Sequence, residues 1–217
     1  MKAYIFDLDG TLLDSMGVWE EIDVDFLKKR GITVPADYAD AILSMSAAEA
    51  AAYTIQRFAL GDTVDGLIQE WNDMALYAYG NTVMMKPCAK EYLTTLHKRG
   101  VKLAIATSCP AKLCESALRN HGIYELFHVI CSTDEAGYGK TRPDVFQLTA
   151  KKLGVPPGDC VVFEDILAAV KSAKSIGMTV YGVYDRSSEA DWEQIKQIAD
   201  GAILDFQTAP LPKIFLK

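Results

Sequence analysis

Ala3-Tyr4-Ile5-Phe6-Asp7-Leu8-Asp9-Gly10-Thr11-Leu12-Leu13-Asp14-Ser15 is the stretch on which the fold turns. Its first four residues are an unbroken apolar run, short enough for a strand buried on both faces. Two acids follow, two positions apart, and Gly10 permits a sharp turn directly after them. Open parallel sheets bind ligands beyond the carboxyl ends of their strands, so a strand that stops in carboxylates places chemistry at that edge.

Downstream the pattern changes twice. From about residue 15 to about 84 the chain reads as helices only. Trp19, Ile22 and Phe26 recur at helical spacing, and Gly31 is placed to end their helix. Ser46-Ala47-Ala48-Glu49 is a capping-box pattern, and a further helix is expected over 63–79, closed by Gly80. After Pro87 helices and strands alternate. Helices are expected at 88–99, 110–120, 143–153, 166–176 and 188–199, with strands at 101–106, 128–131, 160–163, 178–183 and 202–204. Such alternation implies right-handed crossovers. The expected fold class is therefore α/β, a doubly wound parallel sheet with an inserted all-helical domain. The expected division is an α/β domain of 1–14 plus 85–217 and an inserted helical domain of 15–84.

Composition narrows the function. A chain of 217 residues is one domain, or one carrying an insertion, and is long enough for a core without disulfides. Its 22 basic and 29 acidic residues leave a net charge of −7, which repels phosphate backbones and argues against a nucleic-acid partner. No apolar stretch is long enough to span a membrane, and no secretory signal is legible, so no membrane partner is expected. The five cysteines, Cys88, Cys109, Cys114, Cys131 and Cys160, are odd in number and form no CxxC pair, which points to a reducing, cytoplasmic setting. Oligomeric state is not legible; a monomer is the favoured reading.

If the sheet forms as expected, its strand ends bring Asp7 and Asp9, Thr107 and Ser108, Gly139 and Lys140, and Glu164 and Asp165 to one edge. Crowded carboxylates call for a cation, and an all-oxygen ligand set suits Mg²⁺. Asp7, Asp165 and the backbone carbonyl of Asp9 could supply ligands, with Glu164 a further candidate. Lys140 and Thr107 remain as donors for the oxygens of a transferring phosphoryl group. A carboxylate can itself attack phosphorus, and a second acid can exchange protons with the leaving group and water.

These residues resemble the motifs of the haloacid-dehalogenase-like (HAD) phosphatase superfamily. The 7–15 segment is similar to its first motif, and Thr107, ending an apolar strand, to its second. Lys140 in Gly139-Lys140-Thr141-Arg142-Pro143-Asp144-Val145-Phe146 is similar to the third, and Glu164-Asp165 after Val161-Val162-Phe163 to the fourth. All four occur in the family's order. The helical insertion resembles the type-one cap of the β-phosphoglucomutase/phosphoglycolate-phosphatase branch.

The resemblance implies Asp7 as nucleophile and magnesium ligand, and Asp9 as general acid/base with its carbonyl on the metal. It implies Thr107 and Lys140 as holders of the phosphoryl group, helped by the N–H groups of Leu8, Asp9 and Ser108. Asp165 would bind magnesium, and Glu164 would do so directly or through a neighbour. The expected activity is Mg²⁺-dependent hydrolysis of a small phosphorylated metabolite such as a sugar, polyol or nucleoside phosphate.

Other readings compete. A phosphomutase of the β-phosphoglucomutase kind needs polar cap residues where this chain aligns Trp19 and Leu43-Ser44…Ala47. A dehalogenase lacks the second acid, a phosphonatase needs a cap lysine in a motif context, and a receiver-type phospho-acceptor has no cap. Met16, Trp19, Ser44, Met45 and Ser46 are candidate cap walls, Trp19 also a candidate substrate contact. Helical spacing makes core packing the simpler expectation for Met16 and Trp19. Ser108 is a candidate cap for the helix at 110, and Thr107 a weaker one. Cys109 is expected to be a passive hydrophobe, His97, His121 and His128 structural or exposed, and Glu20, Glu21, Asp23 and Asp25 a solvated face. Hinges are expected near 13–17 and 82–87.

Overall fold

In a computed structural model the described residues are 3–42, 45 and 47–212. The strands are β1 (Ala3–Phe6), β2 (Leu13–Asp14), β3 (Met84–Met85), β4 (Lys102–Thr107), β5 (Val129–Ser132), β6 (Cys160–Glu164), β7 (Thr179–Val183) and β8 (Gly201–Ile203). The helices are α1 (Val18–Lys29), α2 (Tyr38–Ile42), α3 (Ala47–Phe58), α4 (Val64–Asn81), α5 (Ala89–Lys98), α6 (Ala111–Asn120), α7 (Thr133–Ala136), α8 (Asp144–Leu153), α9 (Leu167–Ser175) and α10 (Trp192–Ile198). Two compact units result, one of 1–16 with 83–217 and the other of 17–82.

The larger unit is built on a six-stranded sheet in the order β5-β4-β1-β6-β7-β8, with parallel pairing throughout. This is the doubly wound α/β fold expected of the alternating pattern. β1 lies inside the sheet because its run is apolar on both faces. Ala3 and Ile5 join a core of Ala104, Val162, Phe146, Val170 and Val180. Tyr4 and Phe6 point the other way, where Phe163 stacks on Phe6 at 5.0 Å and on Tyr181 at 5.4 Å, and Tyr92 and Phe206 close over them. Phe6, Phe163 and Tyr181 are neighbours in register, so the ladder crosses three strands. The chain leaves β1 toward β4 and β5 on one side, then returns to β6 on the other. The strand order therefore reverses at β1, where such sheets bind ligands.

Several boundaries differ from the sequence reading. The 15–84 stretch is not helical to its end: Met84–Met85 pairs antiparallel with Leu13–Asp14. Two residues a side are too few to leave a periodic signal. Gly80 does not close its helix, because α4 runs through it to Asn81 and the cap N–H of Thr82 bonds Ala78 O. The start of that helix is a side-chain cap, Thr63 accepting from Gly66 N at 3.2 Å. The expected helix 188–199 begins as a 3-10 stretch over 186–191. Ser46 of the capping box, and Leu43 and Ser44 of the cap alignment, lie outside the described residues.

In the smaller unit, α1 buries Val18, Ile22, Phe26 and Leu27, and Phe26 meets Trp71 edge-on. Core packing of Trp19 is therefore corrected: the buried stripe runs one residue away, and Trp19 is 47% exposed. Met16 is exposed as well. The acidic run is a solvated face at Glu20, Glu21 and Asp25, but Asp23 is half-buried. Burial, with Glu20 adding repulsion, pushes its carboxyl up to about 6. Arg30 ties the end of α1 to Asp62 and Glu70, both at 2.8 Å, and lies over the Phe26 ring. No helix among the described residues is long and apolar enough to cross a membrane.

Candidate active site

At the carboxyl ends of β1 and β6 the backbone does the first part of the placing. Asp7 N donates to Phe163 O at 3.0 Å, so Asp7 leaves β1 at the level where β6 ends in Glu164. Gly10 turns the chain at a φ of +76°. A Cβ there would run into the Asp165 carboxylate, so both backbone shape and space require glycine. Leu12 N and Leu13 N both donate to Leu8 O at 2.9 Å, closing the turn.

Lys140 forms an ion pair with Asp7 and a second with Glu164 at 2.8 Å. The other Glu164 oxygen accepts the N–H groups of Asp165 and Ile166, each at 3.2 Å. Asp165 Oδ1 accepts Thr11 Oγ1 at 2.9 Å, and Ser188 Oγ lies 3.5 Å from Oδ2. Asp7, Lys140, Glu164, Asp165 and Thr11 are all buried. Asp9 is half-buried, and Ser15, itself buried, donates to its Oδ1 at 2.6 Å.

The electrostatics follow from three buried carboxylates sharing one ammonium. Burial, then Glu164, pushes Asp7 up to about 7 against the pull of Lys140. Burial, then Glu164 and Asp7, raises Asp165 well above the ordinary carboxylate value. Burial works against the Lys140 charge, but Asp7 and Glu164 outweigh it and its pKa rises. Negative charge exceeds positive in this pocket. Ligand oxygens of Asp7, Glu164 and Asp165 lie within 4.8 Å of one another, a set that fits a divalent cation.

Thr107 ends β4 beside β1 and is buried, while Ser108 after it is exposed. Neither caps α6, whose first turn starts from Pro110 without a side-chain cap. Thr107 Oγ1 instead accepts Cys109 N at 2.9 Å, which leaves its hydroxyl proton to donate. The N–H groups of Leu8 and Ser108 bond no backbone oxygen among the described residues. Trp19 belongs to the other unit. Cys109 is buried, and burial with Asp9 nearby drives its thiol pKa strongly up, so it is the passive group expected. His121 Nε2 meets Val83 O at 2.9 Å and His128 Nδ1 accepts Leu103 N, both structural roles.

Thr11, Ser15 and Ser188 were not singled out by the sequence for roles. Thr11 and Ser15 lay inside the first motif, and that was their signal. For Ser188 the signal was a polar cluster, Asp185-Arg186-Ser187-Ser188, just past the carboxyl end of a parallel strand.

Residues 1–177 match the family model for haloacid dehalogenase-like hydrolases. The chain is 30% identical over 182 residues to the validoxylamine A 7'-phosphate phosphatase of Streptomyces hygroscopicus subsp. limoneus, covering 84% of this chain and 85% of that protein. It is 27% identical over 201 residues to hexitol phosphatase A of Escherichia coli, covering 91% and 88%. The crystal structure of CbbY from Rhodobacter sphaeroides in complex with phosphate shares the fold, with a TM-score of 0.74 and 21% identity over 96% of each chain.

Proposed function

The chain belongs to the haloacid dehalogenase-like hydrolase family, and on that premise we propose that it is a Mg²⁺-dependent phosphatase of small phosphorylated metabolites, working through an aspartyl phosphate. The observation that carries this reading is the buried meeting of Asp7, Lys140, Glu164 and Asp165 with a second acid, Asp9, two residues from the first.

In the first step an Asp7 carboxylate oxygen attacks phosphorus. The bond from phosphorus to the ester oxygen breaks as Asp9 gives that oxygen its proton. In the second step Asp9, now a carboxylate, takes a proton from water as the water oxygen bonds to phosphorus. The bond from phosphorus to Asp7 breaks and inorganic phosphate leaves. Lys140 and the Thr107 hydroxyl stabilise the phosphoryl oxygens, with the N–H groups of Leu8, Asp9 and Ser108. Ser15 holds Asp9 between transfers. Asp7, Asp165 and the carbonyl of Asp9 would hold Mg²⁺, which when bound neutralises charge on the phosphoryl group. The Glu164 oxygens accept Lys140 on one side and the N–H groups of Asp165 and Ile166 on the other, so Glu164 orients Lys140 and the Asp165 backbone and stands beside Asp7 and Asp165 as the third carboxylate of the set that would hold the metal.

The helical unit of 17–82 takes the part of the cap, excluding water and selecting the leaving group. A sugar, polyol or nucleoside phosphate is the substrate class, in keeping with the hexitol phosphatase and the validoxylamine A 7'-phosphate phosphatase among its relatives. Free cysteines at all five positions suit a reducing, cytoplasmic setting. The test is phosphate release from a panel of phosphorylated metabolites, with Mg²⁺ and with EDTA, using wild type and Asp7→Asn. Release that needs both Mg²⁺ and Asp7 is expected. No release from any ester, with lasting phosphorylation by acetyl phosphate, would overturn hydrolysis in favour of a mutase or a phospho-acceptor.

A further inference from the structure

One ion pair outside the set just described joins a half-buried lysine to a buried carboxylate. Lys86 directly follows β3, and its N–H donates to Leu12 O at 2.8 Å, which fastens the β2–β3 pair. Its Nζ stands 2.6 Å from Asp185 Oδ2 and 3.3 Å from Tyr184 O. Asp185 is 3% exposed, and its other oxygen accepts Ser187 N at 2.8 Å and Ser187 Oγ at 2.6 Å. Ser188 N bonds Asp185 O at 3.1 Å, so the turn is held by side chain and backbone together. The product of that turn is the Ser188 hydroxyl, 3.5 Å from Asp165 Oδ2. This is the carboxylate oxygen opposite the one held by Thr11.

Buried ion pairs gain little net stability once their desolvation is counted, and their best-attested use is to fix one arrangement against others. Here the arrangement fixed is a turn facing a carboxylate of the candidate metal site. We propose that Ser188 is a positioning residue for Asp165, kept in place by the Lys86–Asp185 pair, and that it sets the rotation in which Asp165 meets a divalent cation. The proposal rests on the metal reading above. Partners that orient a metal-binding carboxylate are worth 10–100-fold in affinity, and at this long contact the lower end is expected.

The test is a titration of the full-length, EDTA-treated protein with Mn²⁺, read by electron paramagnetic resonance of the unbound ion. It compares wild type, Asp165→Asn, Ser188→Ala and Ser188→Thr. Ser188 is half-buried on a 3-10 turn, so its truncation leaves the core intact. Ser188→Ala is expected to weaken Mn²⁺ binding about tenfold, and Ser188→Thr, which keeps the hydroxyl, to restore most of it. Asp185→Asn should weaken binding in the same direction. Unchanged affinity in Ser188→Ala, or a loss that Ser188→Thr leaves in place, overturns the proposal while the metal site stands. Wild type that binds no more Mn²⁺ than Asp165→Asn overturns the metal reading and this proposal with it.

Discussion

Asp7 and Asp9 differ in surroundings as much as in the roles proposed for them. Asp7 is buried against a lysine, while Asp9 is half-buried and bonded to a serine. Asp7→Asn keeps the volume and removes a buried charge, so it should fold. Its turnover should fall by more than about 10³-fold in steady-state phosphate release. Asp9→Asn should lower turnover about 10²–10⁴-fold. A phosphorylated enzyme should then persist after a pulse of substrate, detectable by intact mass. Gly10→Ala forces a left-handed backbone costing about 1–2 kcal/mol and pushes on Asp165. A fall in Tm together with weaker activation by Mg²⁺ is the expected pair of effects. The charged members of this group were legible in the sequence because phosphoryl chemistry needs those residue types at strand ends. Thr11, Ser15 and Ser188 were not, since a hydroxyl beside a turn is commonplace and only its partner three-dimensionally marks it out.

Among the elements, α1 carries a titration that its polar face conceals. Asp23 has its carboxyl raised to about 6 by burial and by Glu20 one turn earlier. The folded form holds its proton more tightly than the unfolded chain, whose carboxyl ionises near 4. Stability contributed here is therefore present at low pH and lost as pH climbs from about 4 to about 6. Asp23→Asn lacks this loss. Its Tm advantage over wild type should grow across that interval and level off above it, and an advantage independent of pH would contradict the assignment. The same helix shows why amphipathic faces are hard to place from sequence. Val18 and Trp19 are both apolar, and spacing alone does not say which begins the stripe. The longer strands were legible as apolar runs alternating with helical stretches, whereas β2 and β3 exist only because they find each other across an insertion.

For the molecule as a whole, the surplus of buried acids predicts a folded state that responds to cations. Mg²⁺ at a hundred times its dissociation constant should add about 2.7 kcal/mol to the unfolding free energy. Thermal melts with and without EDTA would read this, and Asp165→Asn should erase the difference. The parallel sheet was foreseeable from alternation, and its strand order follows from the chain returning to both sides of β1. That central place has a further consequence. Ala3 pairs with Lys102 on one side and Cys160 on the other. During synthesis at about 5–20 residues per second, the first strand leaves the ribosome on the order of ten seconds before its last partner. Until then Ala3, Tyr4, Ile5 and Phe6 keep one edge open beyond their pairing with β4, and Asp7, the proposed nucleophile that directly follows them, waits for Phe163 to receive its backbone N–H.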